Sequence, residues 1–94
     1  MSVVMMIDNP NGTQAIYEKI AAGLTLPIGG RVHVAGPRPG GGWRVIEVWE
    51  TEEEAQRFLR EVFGPALRDA GAPGPPPEPE FWPLHRVVTT EVPA

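Results

Sequence analysis

The chain has 94 residues, 41% hydrophobic and 21% charged, which suits a single small globular domain over residues 1–94 and excludes a disordered or fibrous protein. With no cysteine, a disulfide framework and a thiolate zinc site are excluded, and two histidines, His33 and His85, are too few for an all-histidine metal site. Eight Lys and Arg against twelve Asp and Glu leave a net charge of −4, which argues against nucleic acid as the main partner.

The first segment, Val3 to Ile7, is a continuous apolar, β-branched run closed by Asp8-Asn9-Pro10, the pattern of a central strand. The apolar start has no basic flank and is far short of the roughly 20 residues that cross a bilayer. No targeting segment and no membrane partner are therefore expected, and a cytoplasmic location is the default. From Thr13 to about Leu24, Ile16, Ile20 and Leu24, flanked by Tyr17 and Ala21, recur at helical spacing and form one apolar stripe.

Glycine (11 residues) and proline (12) cluster in two connections, nine between Pro27 and Gly42 and eight between Gly71 and Pro83. Arg31–Ala35 and Trp43–Glu50 alternate with period two, and the Gly36–Gly42 loop joins them as a hairpin. Thr51-Glu52-Glu53-Glu54 is a capping box with three acids at the positive end of the helix dipole. The helix it starts buries Ala55, Phe58, Leu59, Val62 and Phe63, and Gly64-Pro65 should bend or break it. The proline-rich connection, residues 71–80, reads as an extended spacer; an SH3-type ligand would need flanking basic residues that it lacks. Trp82 to Thr89 is the last predicted strand, confined to an edge by Pro83.

The order β-α-β-β-α-β predicts an α+β split βαβ sandwich, a four-stranded antiparallel sheet with both helices on one face. Opposed hairpin residues that sum to 80 pair Val34 with Ile46 and Val32 with Val48, and these four aliphatics are expected against the helices. Ala35 opposite Val45, His33 opposite Glu47 and Arg31 opposite Trp49 then fall on the far side, because Glu47 in the helix-facing core is costly without partners. That far side is otherwise apolar, and a second copy of the chain is the simplest cover for it.

This layout resembles the dimeric α/β barrel superfamily. The resemblance rests also on His33-Val34-Ala35-Gly36, Gly42–Glu50 and Phe81-Trp82-Pro83-Leu84-His85. It points to the ferredoxin-like branch of antibiotic-biosynthesis monooxygenases and their small relatives. The resemblance implies a homodimer whose facing sheets form a barrel, with a pocket between sheet and helices or between subunits. It also implies cofactor-independent monooxygenase or isomerase chemistry, with no cofactor, on a hydrophobic aromatic or polyketide-like compound. The Asn-Trp-His set of the haem-degrading members is not matched.

His33 and Glu47 are the best chemical pair, since a carboxylate facing an imidazole fixes its tautomer and prepares it as acid or base. A plain cross-strand hydrogen bond at an interface explains the same pair. His85 is a third candidate catalytic group if it points into the same cavity. With His33 and His85 on the two outer strands, two histidines and a carboxylate do not converge as a metal triad should. Trp43, Trp49, Met5 and Val45 are candidate substrate contacts, and each is equally a core residue. No Gly-x-Ser-x-Gly occurs, and Gly40-Gly41-Gly42 lacks the lysine and helix of a phosphate loop. Two readings remain, an acid/base enzyme and a non-catalytic homodimeric ligand-binding or assembly module. An open pocket lined by His33 and Trp49 favours the first, and a filled interface favours the second.

Overall fold

The computed structural model describes residues 1–22, 24 and 29–89. The start of the first breaker-rich connection at Pro27 lies outside them, as do the last five residues. Eight elements follow in order: β1 (Val3–Asn9), α1 (Gln14–Ala21), β2 (Gly30–Pro37), β3 (Trp43–Trp49), α2 (Glu52–Phe58), a π-helical segment (Leu59–Phe63), α3 (Gly64–Asp69) and β4 (Pro79–Pro83). The strands form one antiparallel sheet in the order β2-β3-β1-β4, the ferredoxin-like arrangement in which β3 inserts between β1 and β2.

Local chemistry explains the element ends. Thr13 caps α1 by accepting from the Ile16 amide at 3.2 Å, and Thr51 caps α2 by accepting from the Glu54 amide at 3.1 Å. The Glu54 carboxylate accepts from the Thr51 hydroxyl at 3.1 Å, so it packs beside the cap instead of reaching back to the backbone. Between β2 and β3 the Arg38 and Gly42 backbones bond at 3.0 Å, with Gly40, Gly41 and Gly42 all at positive φ. At Gly42 a side chain would also strike the Asn9 carbonyl, 2.5 Å from an ideal Cβ. Pro65 has no amide to donate, and the helix widens just before it, the Gly64 amide bonding Leu59 five residues back.

The hairpin register pairs His33 with Glu47, Val34 with Ile46, Val32 with Val48 and Ala35 with Val45, as the sum of 80 requires. At Arg31 the expectation fails. A bulge there sets Gly30 opposite Trp49.

The choice of sheet face is reversed. The core under the helices is built from Met5, Ile7, Val45 and Trp49 together with Ala55 and Phe58, and Trp49 and Met5 are fully buried. Glu47 and His33 share that face, while Val4, Met6, Val32, Val34, Ile46 and Val48 point to the open side. Two facts reverse the expected order. Trp49 and Met5 hide more apolar area than the valines, and Glu47, 3% exposed, has both carboxylate oxygens bonded, which removes most of the penalty of burying it.

β4 also departs from expectation, spanning Pro79–Pro83 instead of Trp82–Thr89. It enters the sheet within the proline-rich connection, pairing Ile7 with Pro79 and Val3 with Pro83 on the edge where missing amides are tolerated. Past Pro83 the partner strand has ended, and after one bond from the Leu84 amide to the Ser2 carbonyl no ladder continues.

Candidate active site: a buried carboxylate, an imidazole and a phenol beside a cavity

A chain of four side chains crosses the helix-covered face. The Trp49 indole N–H donates to Glu47 Oε1 at 3.0 Å, and His33 Nδ1 lies 2.6 Å from Glu47 Oε2. His33 Nε2 in turn lies 2.7 Å from the Tyr17 hydroxyl. Strand geometry places the first three, since Glu47 and Trp49 are two residues apart on β3 and His33 is the cross-strand partner of Glu47. Helix α1 supplies the fourth from the middle of its apolar stripe.

In the neutral imidazole the hydrogen bonds assign the tautomer. A carboxylate only accepts, so Nδ1 carries the proton toward Glu47, and Nε2 is left as an acceptor for the Tyr17 hydroxyl. Exposure falls steeply along the chain: the His33 side chain is 34% exposed and that of Glu47 4%. The imidazole is therefore partly exposed, while its carboxylate partner is sealed. Burial pushes the Tyr17 phenol above its ordinary pKa, with the negative charges of Glu18 and Glu47 adding to the effect.

Beside this chain lies a cavity of about 220 Å³ between the sheet and the helices. Tyr17, His33 and Glu47 supply its polar wall, and the rest is apolar: Ile7 and Val45 from the sheet, Ile20, Ala21 and Leu24 from the α1 side, and Phe58 and Phe63 from the second helical region. The cavity explains why α1 has no fully buried residue despite its stripe. Its apolar side chains wall a space instead of sealing against the sheet.

Of the residues singled out in the sequence, His33, Glu47 and Val45 meet at this cavity. The remaining four do not. Trp49 lies beneath it as the donor to Glu47, tilted against Phe58 with ring centroids 5.1 Å apart, and Met5 is fully buried core. Trp43 packs on the far side of Tyr17, centroids 5.3 Å apart, and so is one ring removed from the space. His85 is exposed in the segment after β4, because the strand ends at Pro83 before it can be aimed inward. Among the described residues no group of three His, Asp or Glu side chains comes together as a metal site would need. Tyr17 is the functional candidate missed in the sequence, and its signal was a lone hydroxyl within an otherwise aliphatic stripe.

The open face carries a separate polar feature. Arg44 grips Asp8 across β1 and β3 with two hydrogen bonds of 2.7 and 2.9 Å, which hold the Asp8 carboxyl below its ordinary pKa. This pair closes one end of a face on which Met6, Val32, Val34 and Ile46 are partly or largely exposed and Val4 and Val48 are buried.

Fold and site together define a ferredoxin-like α+β protein with a hydrogen-bonded imidazole–carboxylate pair between its sheet and helices. Solved structures with this fold include a protein of Chloroflexus aurantiacus J-10-fl assigned as an antibiotic biosynthesis monooxygenase. It is 14% identical with a TM-score of 0.65, over 94% of this chain and 98% of that one. SnoaB of Streptomyces nogalater, a cofactor-independent oxygenase solved as a mutant, is also 14% identical with a TM-score of 0.58, over 93% and 95% of the two chains. The chain thus has the fold of antibiotic-biosynthesis-monooxygenase-like proteins. No protein-family profile and no curated protein matches it in sequence. Among the described residues no helix is long and apolar enough to cross a membrane.

Proposed function

We propose that the chain is a cofactor-independent acid/base enzyme of the monooxygenase or isomerase type, acting on a small hydrophobic compound in the cavity between sheet and helices. One observation carries this reading: His33 Nε2 is held as a proton acceptor, by a buried carboxylate behind it, at the wall of an apolar space. A substrate hydroxyl or activated C–H entering there displaces the Tyr17 hydroxyl from Nε2 and gives its proton to the imidazole. The imidazolium pairs with the Glu47 carboxylate, and the Tyr17 hydroxyl is free to donate to the substrate anion. Such an electron-rich anion is what an oxygenase without cofactor presents to molecular oxygen, and what an isomerase reprotonates at another atom. The two fold neighbours are of the oxygenase type by description, which agrees with the first course.

The test is a screen of hydroxylated aromatic compounds for turnover and oxygen uptake, repeated on His33→Ala and Glu47→Gln. Loss of the positioned base should lower kcat by about 10²- to 10⁴-fold. Turnover by His33→Ala close to that of the unaltered protein overturns the proposal.

The same reading includes a homodimer joined through the open faces. Its support is that Val34 remains 56% exposed and Trp82 41% exposed on an apolar face that no helix covers. A non-catalytic homodimeric module is the second reading and rests on this face alone. It predicts an intact dimer and no effect of His33→Ala on anything but stability.

A further inference from the structure

We infer that Tyr17 is the redox-active residue of this chain: a one-electron oxidant, such as an organic radical in the cavity, takes its electron while its hydroxyl proton passes to His33 Nε2. This goes beyond the acid/base reading and holds whether or not a substrate is turned over.

A phenol that loses an electron becomes a strong acid, so the loss is easy only where a base already waits for the proton. Tyr17 has one. Its hydroxyl donates at 2.7 Å to His33 Nε2, the unprotonated nitrogen of the neutral ring. The imidazolium that forms is paired at once by Glu47 Oε2, 2.6 Å from Nδ1. Oxidation after ionisation is closed near neutral pH, because burial holds the phenol pKa above its ordinary value. Electron and proton therefore leave together. The Tyr17 O–H bond breaks, Nε2 gains an N–H, the oxidising radical becomes an anion, and Tyr17 is left as a neutral phenoxyl radical.

The neighbouring rings decide where the hole rests. Tyr17 lines the cavity and so is in contact with whatever enters it. On its other side lies Trp43, ring centroids 5.3 Å apart. The Trp43 Nε1–H is buried and has no hydrogen-bond partner among the described residues. An oxidised Trp43 therefore keeps its proton as a cation radical that no acceptor relieves, and it draws the electron of Tyr17 across the ring contact. Trp49 has an acceptor in Glu47, but it lies beneath the cavity, packed on Phe58. From the cavity or from Trp43, the hole comes to Tyr17.

Flash photolysis of the full chain tests this, with photo-oxidised tris(bipyridine)ruthenium as the one-electron oxidant. The chain has one tyrosine and three tryptophans, so any tyrosyl signal, read by absorbance and electron paramagnetic resonance, belongs to Tyr17. In the unaltered protein a tyrosyl signal should form, directly or at the expense of a tryptophyl one. It should form more slowly in deuterium oxide, because a proton moves in the same step. His33→Gln offers the Tyr17 hydroxyl an acceptor that cannot hold a proton, and His33→Ala offers none. Both should slow tyrosyl formation by about tenfold or more. A rate unchanged in either variant overturns the inference, and so does a lasting tryptophyl signal with no tyrosyl one in the unaltered protein.

Discussion

The Tyr17 hydroxyl and His33 Nε2 lie 2.7 Å apart, tying α1 to the outer strand β2 across the polar wall of the cavity. This bond is the point at which a substrate hydroxyl would compete with the protein's own. Tyr17→Phe keeps the ring that stacks on His33 and tilts against Trp43, and removes only the oxygen. Since the bond is exposed, stability should fall by no more than about 1 kcal/mol in urea unfolding. On any substrate found, kcat should fall while KM changes little, because the hydroxyl is assigned to the developing anion. A KM effect with unchanged kcat would reduce Tyr17 to a binding group.

Glu47 should be worth more to stability than any other polar side chain on the helix-covered face. It accepts from both the Trp49 indole and His33, and it is almost wholly buried. Glu47→Leu leaves the indole donor unpaired in the core and should cost about 2–4 kcal/mol. Glu47→Gln keeps one acceptor oxygen and should cost about half as much. Equal losses in the two variants, measured by chemical denaturation, would mean that volume and not hydrogen bonding governs the site.

The chain has a single tyrosine, so the phenol titration reads Tyr17 alone. Burial first, then the charges of Glu18 and Glu47, hold its pKa above the ordinary phenol value. The sign follows: the folded state resists losing this proton, so the stability it contributes is intact below about pH 10 and fades as pH rises through the folded value. Ultraviolet absorbance should show phenolate appearing later in the folded protein than in denaturant. Glu47→Gln should bring it part of the way back.

Asp8 makes the opposite prediction at acid pH. Hydrogen bonds from Arg44 are the main cause of its lowered pKa, with the charges of Arg44 and Arg38 helping. Its contribution is complete above roughly pH 4 and is lost as pH falls through the folded value. The Tm difference between the unaltered protein and Asp8→Asn should therefore be constant near neutrality and shrink on acidification. A difference that stays constant down to acid unfolding would show that the pair contributes nothing through charge.

The open face makes a prediction about assembly. Val34 is exposed in the single chain, so Val34→Glu has little folded-state contact to lose. If the face joins two copies, this change should leave the helix content unaltered and yield a monomer in sedimentation. An unaltered protein that sediments as a monomer at micromolar concentration overturns the dimer.

Much of the local structure was legible in the residues, and the exceptions are instructive. Thr13 and Thr51 cap their helices as their positions predict, and the hairpin pairs His33 with Glu47. These features depend on neighbours within a few residues or on one turn. The bulge at Arg31 was not legible, because alternation does not say where a strand takes an extra residue. Nor was the end of β4, since Pro83 stops the ladder only because β1 begins at Val3. The π-helical segment was foreshadowed by Gly64-Pro65, but that pair predicts a break and does not say that the helix would widen and continue.

Period-two alternation in the sequence by itself determined which residues share a sheet face, and hence that an imidazole and a carboxylate sit side by side. Which face the helices cover was decided only in three dimensions. Alternation is silent on that choice, and it turned on whether a buried carboxylate could be satisfied. The Trp49 indole and His33 satisfy it, and with that penalty removed the bulk of Trp49 and Met5 carries their face inward. The imidazole and the carboxylate thereby came to line a cavity within one chain, under a tyrosine on a helix that no strand pattern could have placed above it.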